Sequence, residues 1–340
     1  MNPTELALLA GLSTRRGSAS ADDLFALMER SGVDAAAAQK AVVDLLARDA
    51  LEFVDAGFAI TMRGSASLLE ACAEIERALD NSPTSASQEE CPSIPWLTQV
   101  QTEWVDAVSL NYAVQPDAVA ALLPSPLEPE IFEGTAWVQV LLSSLRDMRP
   151  QGLASLFGVN FYQVSYRAAV RYRDAHGQWR RGGYFVRSET NHAVMQAVGN
   201  ALVEFKFHDF GAAQMYLVRD GERLTAAVDA ERPGGKIVGV FNTQPLAGPP
   251  TGSVWRDLEH LQYPLVECYD AFGVDPEERF MHTLTIDRAP WNARFVEPVE
   301  LYCEYVDTGA LGGGVARLDS TLHIPRCAYR WRPLRRAPLP

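Results

Sequence analysis

Lysine is nearly missing from this chain: its 340 residues include only Lys40, Lys206 and Lys236. Positive charge is short overall, with 30 Lys+Arg against 43 Asp+Glu and a formal net charge of −13. Such a balance opposes the phosphate contacts on which generic nucleic-acid binding rests. Cysteine is sparse too. Cys72, Cys91, Cys268, Cys303 and Cys327 form an odd set without a C-x-x-C pair, which excludes a disulfide framework and a zinc motif and fits reduced thiols. No run of about 18 apolar residues occurs, so no membrane span is expected. The opening MNPTELALLAGLSTRRGSAS lacks a basic leader followed by an apolar core, so a cytoplasmic location is expected. Six histidines form no H-x-x-x-H or H-E-x-x-H set, no G-x-G-x-x-G joins a strand to a helix, and Gly312-Gly313-Gly314 is not followed by Lys and Ser/Thr. Neither a metal nor a cofactor is expected.

What is present divides into two halves. Of 32 aromatic residues only Phe25, Phe53 and Phe58 precede residue 95, and residues 1–90 carry a net −8. The segment NSPTSASQEECPSIP, 81–95, is rich in Ser, Pro and acids and reads as a linker. Before it, residues 1–80 read as three helices, a hairpin around Asp55-Ala56-Gly57 and a last helix from about Ser65 to Leu79. This order resembles a winged helix-turn-helix. In a DNA reader the third helix would enter the major groove, yet here it offers Asp34, Gln39, Lys40 and Asp44. That acidity favours association or protein docking over DNA.

From Trp96 the pattern is dominated by strands. In FYQVSYRAAVRYR, 161–173, Tyr162, Val164, Tyr166, Ala168, Val170 and Tyr172 share one face, while Gln163, Ser165, Arg167 and Arg171 share the other, as one packed and one polar face require. Further strands are expected at 136–142, 183–188, 203–208, 214–219, 223–228, 236–241, 281–286, 299–305 and 315–324, with helices near 116–123, 192–200 and 252–258. The fold expected is α+β: a large antiparallel curved sheet or closed β-barrel over 96–333, the winged helix-like module before it, and a solvated tail at 334–340. If 203–208 is a strand, Glu204, Lys206 and His208 share one face, opposite Phe205 and Phe207. That trio is either a reactive cluster or a solvated face.

The segments LNYAVQPDAVAALLPSPLEPEIFEGTAWVQVLL, FYQVSYRAAV, GGYFVRSETN, HTLTIDRAPW and LHIPRCAYRWRP resemble the acetoacetate decarboxylase-like superfamily, within a bacterial branch of it, over 96–333. The resemblance implies a lysine with lowered pKa that forms a Schiff base with a keto acid. Lys206 is the residue it points to, with His208 or Glu204 moving protons. The branch tends to carry Glu at the position of Gln163, where Gln keeps the shape but not the charge. Arg167, with Arg171, is placed to bind a carboxylate bidentately, an ion pair with a surface acid being the rival reading. Trp137 and Tyr184 complete the substrate-binding set, and with Trp291 they read as walls of the core or of an apolar pocket. The function expected is binding of a small organic or keto acid, as a carbon-carbon lyase or aldolase through Lys206. The alternative is a non-catalytic ligand sensor or transcriptional regulator whose N-terminal module binds a partner or DNA. A homo-oligomer through that module is expected as well.

Overall fold

The computed structural model describes residues 18–20, 45, 51–54, 57–60, 100–150, 158–192, 195–196, 200, 209–261, 265–274, 280–332 and 335–339. In the N-terminal part, β1 (Ser18–Ser20), β2 (Leu51–Val54) and β3 (Gly57–Ile60) form a small sheet in the order β1-β3-β2. The β2–β3 pairing is antiparallel, with Phe53 opposite Phe58. The helices expected around it lie outside the described residues, apart from the buried, helical Leu45.

The rest of the described chain is mostly β. In chain order it runs β4 (Val100–Val114), α1 (Pro116–Ala120), β5 (Glu128–Pro129), β6 (Ile131–Phe132), β7 (Thr135–Pro150), β8 (Val159–Arg173), β9 (Trp179–Thr190), β10 (Phe210–Asp220), β11 (Arg223–Ala230) and β12 (Ile237–Asn242). It continues through α2 (Leu258–Leu261), β13 (Asp270–Val274), β14 (Phe280–Arg288), β15 (Arg294–Phe295), β16 (Glu297–Cys303), α3 (Glu304–Asp307), β17 (Ala316–Trp331) and β18 (Arg335–Pro338). The strand order is β16-β12-β11-β10-β9-β13-β14-β17-β4-β7-β8-β5, and a further β8–β9 pairing bends the sheet nearly into a ring.

The sheet is mixed, which corrects the antiparallel expectation. Strand β9 runs parallel to β10, with Phe210 opposite Ser188, and parallel to β13, with Ala271 opposite Gly183. Curvature comes from bulges, which bend a strand and sharpen its twist. The β4–β7 register slips between Val105 and Val108, and the β7–β8 register between Leu145 and Met148. Within these slips Asp106 and Asp147 take φ of 52° and 56°, a left-handed conformation that Asp tolerates better than most residues. The expected helix at 252–258 is a turn, with α2 following it, and the expected free tail instead forms β18 against β14.

Both faces of the central strands are covered. Val108, Leu110, Val138, Val140, Val164, Tyr166 and Ala168 belong to a core shared with β10 to β12 and α3. The opposite face packs Trp137, Leu141 and Ala169 against Trp255, Leu261, Leu265, Val266 and Trp291. That covering segment is pinned where β17 bulges: Ser253 Oγ donates to Asp319 Oδ1 at 2.7 Å and the Val254 amide to Oδ2 at 3.0 Å. Fully burying one such large side chain contributes about 1.5–3 kcal/mol. No helix among the described residues is long and apolar enough to cross a membrane.

Candidate functional site

The polar face of β8 lies beneath this cover. Four strands place Ser320, Asn111, Gln139 and Arg167 directly opposite one another in one file. Their side chains form a continuous hydrogen-bonded line. Arg167 Nε donates to Gln139 Oε1 at 3.1 Å, Gln139 Nε2 donates to Asn111 Oδ1 at 2.9 Å, and Asn111 Nδ2 donates to Ser320 Oγ at 3.1 Å. Ser109 joins from the side, donating to Asn111 Oδ1 at 2.8 Å and accepting from Gln139 Nε2 at 3.1 Å. All these residues are buried. Such a line satisfies polar groups that would otherwise cost about 1–3 kcal/mol each to bury.

Arg167 is 5% exposed, and its Nη2 donates to Gln139 Oε1 and to the Leu265 carbonyl, the latter at 2.9 Å. Its guanidinium lies over the indole of Trp291 at 5.7 Å. A second guanidinium, Arg288 at the end of β14, lies over the same indole at 4.8 Å and over Tyr269 at 4.7 Å. Arg288 donates to the carbonyls of Ala289, at 3.1 Å, and Val266. Burial, and then the charge of Arg167, push its pKa below the usual arginine value. It stays cationic at neutral pH all the same. Neither guanidinium has a carboxylate partner among the described residues.

The candidates from the sequence are distributed as follows. Gln163 and Trp137 share the face of Arg167. Gln163 Nε2 donates to Ser165 Oγ at 2.6 Å, and Trp137 spends its indole N–H on the Phe132 carbonyl at 3.1 Å while packing on Trp255 at 4.6 Å. Arg171 points the same way but sits four residues further along β8, about 13 Å at strand rise. There it pairs with Glu128 at 3.3 Å and stacks on Trp179 at 4.2 Å. Tyr184 pairs with Ala168 and faces the opposite core. Lys206, His208 and Glu204 lie outside the described residues. Among the described residues no group of three or more His, Cys, Asp or Glu could hold a metal.

A second polar cluster occupies the opposite side of β9. Glu189 is fully buried and pairs with Arg187 and, at 3.0 Å, with Arg232. Arg187 also lies over the Tyr166 ring at 5.8 Å, and Tyr166 stacks on Tyr305 at 4.7 Å. Glu189, Arg288, Gln139 and Asn111 were not singled out from the sequence. Only the polar-apolar alternation of β4 and β7 carried a signal for the last two.

Residues 101–317 match the family DUF2071, described as an uncharacterized conserved protein. The chain belongs to this family. No curated protein matches the DUF2071 chain. Among solved structures it is similar to acetoacetate decarboxylase from Legionella pneumophila, at 14% identity and TM-score 0.46 over 77% of this chain and 94% of that one. It is also similar to the enduracididine biosynthesis enzyme MppR complexed with the condensation product of pyruvate and imidazole 4-carboxaldehyde, at 16% identity and TM-score 0.46 over 75% and 98%. A third is an acetoacetate decarboxylase-like enzyme from Sphingomonas wittichii, at 11% identity and TM-score 0.46 over 76% and 96%.

Proposed function

We propose that this DUF2071 domain binds a small organic acid, with Arg167 receiving the carboxylate. One observation carries the reading: a buried guanidinium, fixed by Gln139 and joined at Trp291 by a second cation, has no acid partner among the described residues. Burying unpaired charge costs several kcal/mol, and an anionic ligand offsets that cost. Gln139 and the Leu265 carbonyl take up Nε and Nη2. The second terminal nitrogen, Nη1, makes no hydrogen bond among the described residues and is left to donate.

The chemistry proposed on this platform follows the superfamily resemblance. The amine of Lys206 adds to the carbonyl carbon of a bound keto acid, and the carbonyl oxygen leaves as water, giving an iminium; Glu204 or His208 moves the protons. The module of residues 1–80 is proposed to serve association.

Titration calorimetry of the full chain with pyruvate, acetoacetate and simple carboxylates tests binding, and Arg167→Gln is expected to abolish it. Borohydride added to the keto acid mixtures tests chemistry, with a covalent adduct on Lys206 expected by mass spectrometry. Binding without an adduct would leave the sensor reading; absence of binding to every acid would end both.

A further inference from the structure

The two arginines differ in a way that bears on which acid the site takes. Arg167 is held from three directions inside the sheet, whereas Arg288 stands at the end of β14, half-buried, with only two loop carbonyls as acceptors. Its Nε makes no hydrogen bond among the described residues. Among the described residues the ionisable groups acting most strongly on Arg288 are Arg167, Cys327, Tyr269 and Cys268, and none of these is a carboxylate. Both cations lie over Trp291, 6% exposed, whose indole N–H also has no hydrogen-bond partner among the described residues. Among the described residues, the unpaired groups of Arg167, Arg288 and Trp291 around this indole are therefore all donors. A monoanion seated on Arg167 would leave the second positive charge uncompensated in a partly dry place.

We propose that the acid taken by this site is a dicarboxylate, its first carboxylate on Arg167 and its second on Arg288. The proposal rests on the carboxylate reading above and names the ligand class. Both guanidiniums lie within 6 Å of one ring centroid, so a diacid of four or five carbons can span them. Each arginine offers two parallel N–H donors to a planar carboxylate.

The test compares acids of matched skeleton on the wild-type full chain: succinate, glutarate and 2-oxoglutarate against butyrate, pentanoate and 2-oxopentanoate. Each pair differs only in the distal carboxylate. At least one diacid is expected to bind about tenfold or more tighter than its partner, the scale of a charge-assisted hydrogen bond. Arg288→Gln is expected to bring the pair to equal affinity, the diacid losing at least tenfold more affinity than the monoacid. The wild-type comparison decides even if that variant proves unstable. Equal affinities across every pair would overturn the dicarboxylate, with the Arg167 reading left intact if Arg167→Gln still abolishes monoacid binding. No binding of either class would overturn both.

Discussion

The side chain of Arg167 fills the space that a β-carbon on Gly183 would need. A Cβ built there would stand 2.6 Å from Arg167 Cδ and 2.9 Å from Cγ, closer than carbon atoms approach without repulsion. Strand β9 thus sets the position of the β8 arginine by lacking a side chain. Gly183→Ala is expected to push Arg167 off Gln139 and lower acid affinity at least tenfold, with the overall fold kept. Calorimetric titration beside a thermal melt separates the two effects. Unchanged affinity in a folded variant would show that Arg167 does not hold the ligand.

Glu189 is the only carboxylate among the described residues that is fully buried and touches two arginines, and it sits where β9 turns from β8 toward β10. Removing one partner of such a cluster strands the others. Glu189→Gln is expected to cost about 3 kcal/mol of unfolding free energy. Arg232→Met, at a side chain 35% exposed, is expected to cost about 1 kcal/mol. Denaturant titrations of both variants check the order.

These clusters show what the sequence could and could not carry. The alternation in 161–173 placed Arg167, Gln163 and Ser165 on one face, and the pairing with β7 bears that alternation out. It did not say that this polar face would be roofed, because Trp255 and Trp291 come from loops without periodicity. Alternation also failed in β9, where the register slips opposite Tyr166 and Arg167, so Arg187 and Tyr184 face the same core despite their odd spacing. Arg288 carried no local signal at all. It meets Arg167 only because the nearly closed sheet brings β14 and β8 together, and a charged residue ending a strand ordinarily reads as a solvated one. Arg171 matched Arg167 in parity, but Glu128, brought beside it by β5, had already claimed it.

Acid should weaken the fold before its carboxylates titrate. Burial, with Arg336 nearby, pushes the His282 imidazole down from 6.5 to about 3, and burial lowers His192 and His323 as well. The folded protein therefore keeps His282 neutral where the unfolded chain takes up a proton. Unfolding binds protons below about pH 6.5, so stability falls as pH falls through that value. The expected slope from His282 alone is about 1.4 kcal/mol per pH unit between roughly pH 6 and 5. Urea melts at several pH values measure it. His282→Gln should flatten the curve by about one proton, whatever it costs at pH 7.5, and an undiminished slope would place the titration elsewhere.

Gln139 offers the sharpest separation of fold from function, since one atom changed there supplies the carboxylate that Arg167 lacks among the described residues. In Gln139→Glu an oxygen replaces Nε2, and the introduced carboxylate accepts from Arg167 Nε at the position Oε1 now holds. The lost bonds to Asn111 Oδ1 and Ser109 Oγ are recoverable, because the Asn111 amide and the Ser109 hydroxyl can both turn to donate. A buried arginine gains an internal counter-ion, so stability is expected to hold within about 1 kcal/mol or to rise. Ligand binding should nevertheless disappear, because the guanidinium charge is already matched. Gln139→Leu supplies no counter-ion and should lose stability by about 1–3 kcal/mol through the unpaired groups of Asn111 and Arg167. If Gln139→Glu still bound carboxylates as tightly as the wild type, the anion would have to sit somewhere other than Arg167.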